Sequence, residues 1–253
     1  MIKIDGKAFS QTVLEKIREE HNQLKEKYGK QAGLAVVIVG NNPASQVYVR
    51  NKMKACENVG FYSENIELDE NISEKELLQE IDRLNKNDRI NGILVQLPLP
   101  SHINELKIID SISPEKDVDG FHVANIGKMV IGDETGFISC TPYGIMQLLE
   151  EYKIEIAGKD AVIIGRSNIV GKPMALMLIQ KGATVQVCNS RTKDLRKKLN
   201  DADIIIVAAG VPKLLKKEDV KEGAVVIETV VKDRAKVKTE DWIRLNYVMQ
   251  EYE

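Results

Sequence analysis

Cysteine is scarce in this chain, and so are long apolar runs and any excess of one charge. Three cysteines, Cys56, Cys140 and Cys188, occur in 253 residues. Widely separated and odd in number, they argue against a disulfide framework and a zinc site, and each reads as a buried thiol. No window approaches eighteen apolar residues, and the opening Met1-Ile2-Lys3-Ile4-Asp5-Gly6 has no apolar leader region. A membrane partner is therefore not expected, and the cytoplasm is the expected location. The 36 basic residues are interspersed with 38 acidic ones for a formal net charge of -2, which leaves no basic field for nucleic acid. The run Arg196-Lys197-Lys198 is short and reads as a solvated helix face. There is no internal repeat and no low-complexity tract.

What is present suits an α/β protein of two unequal domains, since 43% hydrophobic residues can bury one large core or two modest ones. Gly33-Leu-Ala-Val-Val-Ile-Val39 is an apolar run of strand length. A helix follows from Pro43, capped by Asn42 and stopped at Gly60, and a second strand spans 64–68. Ser73 with Glu76 forms a capping box for the next helix, and the run 90–97 is a further buried strand closed by Pro98 and Pro100. This alternation implies a parallel sheet. Residues 101–140 are rich in turn formers, among them Ser113-Pro114, Asp119-Gly120 and Gly132-Asp133, and read as a linker and cleft region. A helix over 144–152 then leads into a second alternating series. Its strands are expected at 161–164, 184–188, 203–208 and 223–227, with a helix starting at Pro173, a layout that fits a dinucleotide-binding half.

Within the helix after Asn42, Ala44, Ser45, Tyr48, Lys52, Ala55 and Val59 share one narrow stripe, while Arg50, Lys54 and Glu57 point the other way. Lys52 is thus placed on the inner face. It is either a snorkelling lysine whose stem covers apolar surface, or a partly desolvated amine four residues from the Tyr48 phenol and poised to accept a proton.

Gly165-Arg-Ser-Asn-Ile-Val-Gly171-Lys-Pro173 lies between an apolar strand and a helix, where backbone N–H groups and the helix dipole can hold a pyrophosphate. The spacing is not Gly-x-Gly-x-x-Gly, and tight strand-to-helix turns need glycine in any case. The strand after it ends Asn189-Ser190-Arg191-Thr192, with a cation and hydroxyls where an NAD site would carry a carboxylate. That favours the 2'-phosphate of NADP, unless Arg191 is merely a surface arginine.

Six segments in order then resemble the bifunctional methylenetetrahydrofolate dehydrogenase/methenyltetrahydrofolate cyclohydrolase family across roughly residues 1–227. They are Tyr48-x-x-x-Lys52, Val95-Gln-Leu-Pro-Leu-Pro100, Pro114-Glu-Lys-Asp-Val-Asp-Gly120, Cys140-Thr-Pro-Tyr-Gly144, Gly165-Arg-Ser-x-x-Val-Gly-x-Pro173 and Ala202-Asp-Ile-Ile-Ile-Val-Ala-Ala-Gly-Val-Pro212. The resemblance implies an N-terminal α/β folate and catalytic domain (1–120), a C-terminal Rossmann-like parallel sheet that binds NADP (121–253), and a cleft between them. It also implies tetrahydrofolate derivatives as substrates and a homodimer. By the same resemblance Lys52 is the essential amine, Tyr48 stacks on the folate, Gln96 hydrogen-bonds the lysine and Asp119 anchors the pterin ring. Gly165, Arg166, Ser167, Val170, Gly171, Pro173, Ser190, Arg191 and Gly210 fall to the cofactor, and no metal is implied. Taken alone, Asp119-Gly120 could be a simple turn and Gln96 a satisfied edge amide, while Asp117 reads as structural.

The expected chemistry is oxidation of 5,10-methylenetetrahydrofolate and hydrolysis of the methenyl product. The first step needs mainly positioning, and the second needs a proton acceptor for the attacking water. Ser139 stands where the family usually has proline, and Asn189 where it often has histidine. After Ile227 the family's aspartate and later glycine-rich loop are not matched; Glu228-Thr-Val-Val-Lys-Asp follows, and no Gly or Pro occurs after Gly223. A member that binds nucleotide or folate but has lost an activity is the alternative. In this tail Thr239 could cap a helix whose Trp242, Leu245, Val248, Met249 and Tyr252 recur at helical spacing.

Overall fold

Two apolar runs with alternate residues facing opposite ways each become the centre of a separate parallel sheet. The structure, a computed structural model, describes residues 4–211 and 214–229. The expected tail helix over 239–252 and Pro212 lie outside the described residues.

The first sheet has the order β2-β1-β3, from β1 (Gly33–Val39), β2 (Tyr62–Leu68) and β3 (Gly92–Val95). Ala35, Val37 and Val39 of β1 pack against Leu77, Ile81 and Leu84 of α3 (Glu74–Asn85) and Ile108 of α4 (Glu105–Ser111). Val36 and Ile38 turn to the other face and meet Val49 of α2 (Pro43–Val59) and Leu94. A parallel sheet covered on both sides accounts for the nearly unbroken apolar run of β1.

The second sheet has the order β5-β4-β6-β7, from β4 (Asp160–Ile164), β5 (Thr184–Cys188), β6 (Ile204–Val207) and β7 (Val225–Glu228). Ala161, Ile163, Ile204 and Ile206 face Ile145 of α6 (Cys140–Glu151), Met174 and Leu178 of α7 (Gly171–Gln180), and Met129 of α5 (Val123–Ile131). Val162, Ile164, Ile205 and Val207 face Leu199 of α8 (Leu195–Asn200). In both sheets the strand order reverses beside the central strand, between β1 and β3 and between β4 and β6. That reversal opens a crevice at the carboxyl ends of the strands, where ligands of such sheets settle.

Local signals behave as their chemistry requires. The Asn42 side chain accepts from the backbone N–H groups of Ala44 and Ser45 at 3.0 and 3.1 Å, and Gly60 closes α2 in the left-handed conformation. The Ser73–Glu76 capping box is complete.

Several expectations are corrected. The stretch 101–140 is not a bare linker, because it holds α4 and α5, whose seven and nine residues are too short for a visible period. The chain also begins with a long helix, α1 (Gly6–Tyr28), whose single buried residue is His21, so its sequence carries almost no apolar stripe. On α2 the buried positions are Ser45, Val49, Cys56 and Val59, which moves the inner face toward Lys52 and leaves Ala44 exposed. Cys140 is exposed rather than buried, while Cys56 and Cys188 are buried. The helix after the glycine loop starts at Gly171, two residues before Pro173.

Candidate active site

Lys52 sits midway along α2 on the side turned toward the first sheet, and Gln96 is the first residue beyond β3. Burial of Val49 and Cys56 holds α2 against the strands. The Lys52 side chain then reaches Gln96, donating from Nζ to Oε1 at 3.3 Å across 44 residues of sequence. Gln96 Nε2 donates in turn to the Leu97 carbonyl at 2.9 Å. The amide is thereby held at both ends, its oxygen toward the lysine. Tyr48 lies one turn before Lys52 and is partly buried. A recess of about 390 Å³ opens at the carboxyl ends of the first sheet's strands, lined by Gly40, Asn41, Asn42, Glu70, Pro98 and His102 among others; Tyr48, Lys52 and Gln96 do not line it.

Asp119 stands in a turn built by its neighbours. Asp117, 1% exposed, accepts from the His122 N–H at 2.8 Å and from Asn125 Nδ2 at 2.9 Å. Both donors reach Oδ2, so this buried carboxylate braces the turn against the start of α5. Asn125 also donates to the Pro114 carbonyl, and Lys116 Nζ donates to the carbonyls of Asn85 and Asn87 at the end of α3. Val118 packs with Met53 against the cluster containing Val49, so the Asp119 turn lies on the same sheet face as α2. Gly120 has φ +66, and a Cβ there would meet backbone atoms of Phe137, Ile138 and Ser139 at 2.7–2.9 Å. The turn therefore rests directly on the irregular segment leading to α6. The exposed Cys140 thiol donates to the Val118 carbonyl at 3.3 Å and stands 3.9 Å from Asp119 Oδ1. Sequence reasoning had assigned no part to Asn125, Lys116 or Cys140; the density of turn residues around Pro114 was the signal available.

On the nucleotide side, Gly165 and Gly171 make the loop as tight as it is. A Cβ on Gly165 would stand 2.3 Å from the Ala208 carbonyl oxygen, and one on Gly171 would stand 2.3 Å from that of Gly165. Ser167 Oγ accepts from the N–H groups of Val170 (3.1 Å) and, weakly, Gly171 (3.4 Å). Those donors are thus engaged within the loop, and Arg166 through Ile169 form its exposed rim. Pro173 is buried in α7. Beyond β5 the Asn189 side chain accepts from the Arg191 N–H, closing a turn in which Ser190 and Arg191 are exposed. Gly210, at φ +65, has nothing within 4 Å of where a Cβ would stand. Two exposed guanidinium groups, an exposed loop rim at the β4–β6 crevice and an open glycine fit a dinucleotide carrying an extra phosphate. Among the described residues no cluster of three His, Cys, Asp or Glu could hold a metal ion, and no helix is long and apolar enough to cross a membrane.

Residues 4–119 match the catalytic domain of tetrahydrofolate dehydrogenase/cyclohydrolase, and residues 139–243 match its NAD(P)-binding domain. The second match runs past Ile227, where the motif resemblance had stopped. The chain is 56% identical over 225 residues to the bifunctional protein FolD of Moorella thermoacetica, covering 89% of this chain and 80% of that one. The crystal structure of the bifunctional FolD dehydrogenase/cyclohydrolase from Campylobacter jejuni superposes with a TM-score of 0.87 at 54% identity, over 88% of this chain and 79% of that one. The Trypanosoma brucei enzyme, solved with NADP and an inhibitor, superposes with a TM-score of 0.88 at 37% identity, over 93% and 82% of the two chains.

Proposed function

The chain belongs to the tetrahydrofolate dehydrogenase/cyclohydrolase family, and from that premise we propose how its residues divide the work. The protein oxidises 5,10-methylenetetrahydrofolate to the methenyl form with NADP, and hydrolyses that product to 10-formyltetrahydrofolate. The observation that carries the assignment of roles is the hydrogen bond from Lys52 Nζ to Gln96 Oε1.

When bound, NADP supplies the two-electron oxidant that takes a hydride from the one-carbon unit. In this step the chain's own groups position the reactants. Tyr48 stacks against the folate, Asp119 accepts hydrogen bonds from the pterin ring, and the 165–171 loop with Arg166, Ser190 and Arg191 fixes the phosphates. In the second step water adds to the methenyl carbon and gives a proton to the Lys52 amine; the adduct then collapses to the formyl group as one ring C–N bond breaks, the freed nitrogen taking the hydroxyl proton. Gln96 orients the amine by accepting one N–H, which leaves the nitrogen lone pair for the water. The cationic methenyl carbon is an electrophile already, so a single positioned base is enough.

The boundary between the substrate unit and the nucleotide unit falls near Gly120. The protein acts in the cytoplasm as a homodimer; β5 is paired on one side only among the described strands and carries no charged residue, which leaves an edge able to join a second copy. Following methenyl formation and methenyl hydrolysis separately with purified protein tests the assignment, and absence of either activity refutes that half.

A further inference from the structure

Ser139 occupies the N-cap position of α6, yet its hydroxyl makes no capping bond to that helix. It donates instead to the Ile169 carbonyl at 2.6 Å, thirty residues along the chain, and the side chain is 2% exposed. The peptide unit it holds is pinned from both ends, since the carbonyl of Ile169 goes to Ser139 while the N–H of Val170 goes to Ser167 Oγ. A planar peptide fixed at both its oxygen and its nitrogen cannot rotate. Its carbonyl, whose dipole would repel an anion, is engaged by the hydroxyl of the buried Ser139 although Ile169 itself belongs to the exposed rim. On its other side, the Ser139 segment carries the Asp119 turn, through the 2.7–2.9 Å approach that Gly120 allows and the Cys140 thiol on Val118.

We propose that Ser139 is a positioning residue for the nucleotide: its hydroxyl sets the glycine loop in its phosphate-binding shape, while the Asp119 turn is held by contacts that do not use that hydroxyl. The proposal rests on the NADP-binding reading above. Capping its own helix would be the ordinary use of a serine at this position; the hydroxyl gives that up for a carbonyl outside the helix.

The test compares Ser139→Ala and Ser139→Thr with the parent in three measurements: NADP affinity by calorimetric titration, KM for NADP and kcat of hydride transfer, and methenyl hydrolysis without nucleotide. Loss of one part-buried hydrogen bond predicts a rise of about 3- to 10-fold in the NADP dissociation constant and in KM for Ser139→Ala. Hydrolysis without nucleotide should stay within about 2-fold, and Ser139→Thr, which keeps the hydroxyl, should restore affinity. An alanine variant that binds NADP as the parent does overturns the proposal. So does one that loses hydrolysis in step with affinity, because that marks general structural damage. A parent that binds NADP but shows neither activity would refute the proposed function while leaving Ser139 to be judged on affinity alone.

Discussion

Replacing Lys52 by methionine separates a base from a snorkelling core residue. The lost contact is one hydrogen bond of 3.3 Å between two partly buried side chains. A bond that long falls at the lower end of the usual range, about 0.5 to 1 kcal/mol. Methionine keeps an unbranched chain of similar volume on the α2 face, so no cavity is expected. Gln96 Oε1 loses its donor but is only half-buried and can turn to water, while its Nε2 keeps the Leu97 carbonyl. Stability should therefore fall by no more than about 1 kcal/mol, a shift of roughly 2 to 4 °C in Tm for a chain of this size. Removing a general base costs about 100-fold or more in rate, or at least about 2.7 kcal/mol of barrier. The two effects differ enough to be told apart. Thermal denaturation run beside the decay of methenyltetrahydrofolate absorbance measures both, and the intermediate should accumulate during the coupled reaction. Hydrolysis within about 3-fold of the parent, in a variant that folds, would show that Lys52 is not the proton acceptor.

Arg191→Ala should weaken NADP by about 10- to 100-fold while changing NAD little, because a charge-assisted contact to phosphate is lost only with the phosphorylated cofactor; equal losses in paired titrations would contradict the cofactor assignment. Gly120→Ala forces a Cβ against three backbone atoms at 2.7–2.9 Å at φ +66, and should cost about 2 to 4 kcal/mol in urea denaturation; a cost below about 0.5 would mean that the turn moves freely on the 137–139 segment. Asp203 accepts from Lys221 Nζ at 2.7 Å and from the Asp160 N–H at 2.9 Å, and these hold its carboxyl below the usual carboxylate range, with the lysine as the larger cause. A depressed value in the folded state adds stability above the unfolded value of about 3.9, and that contribution is lost as pH falls through the folded value. The parent should thus out-melt Asp203→Asn at pH 6, and the gap should close in acid; a gap that widens in acid would reverse the assigned sign.

Much of the fold follows from short-range patterns. The Asn42 cap, Pro43, Gly60 and the Ser73–Glu76 box specify their helices from within four residues, and the runs at β1, β4 and β6 are apolar because both faces of a parallel strand are covered. Elements without such patterns were not legible. The long helix α1 buries little more than His21, and α4 and α5 are too short to show a period. Of the candidate site, spacing alone put Lys52 on the inner face of α2; Gln96, Asp119 and the nucleotide loop were recognised through their motifs.

The sequence by itself determined both ends of α2 and the start of α3, the alternation that makes parallel sheets, the glycines needed at Gly165 and Gly171, and the side of α2 from which Lys52 projects. All of these depend on contacts within a few residues, where the chain's own geometry dictates the partners. Tertiary structure decided the pairings across long separations: Lys52 with Gln96, Gly120 against the 137–139 backbone, and the Ser139 hydroxyl on Ile169 rather than on its own helix. Such contacts form between groups whose nearness depends on how two cores pack, and a hydroxyl or an amide has several acceptors open to it until that packing removes all but one.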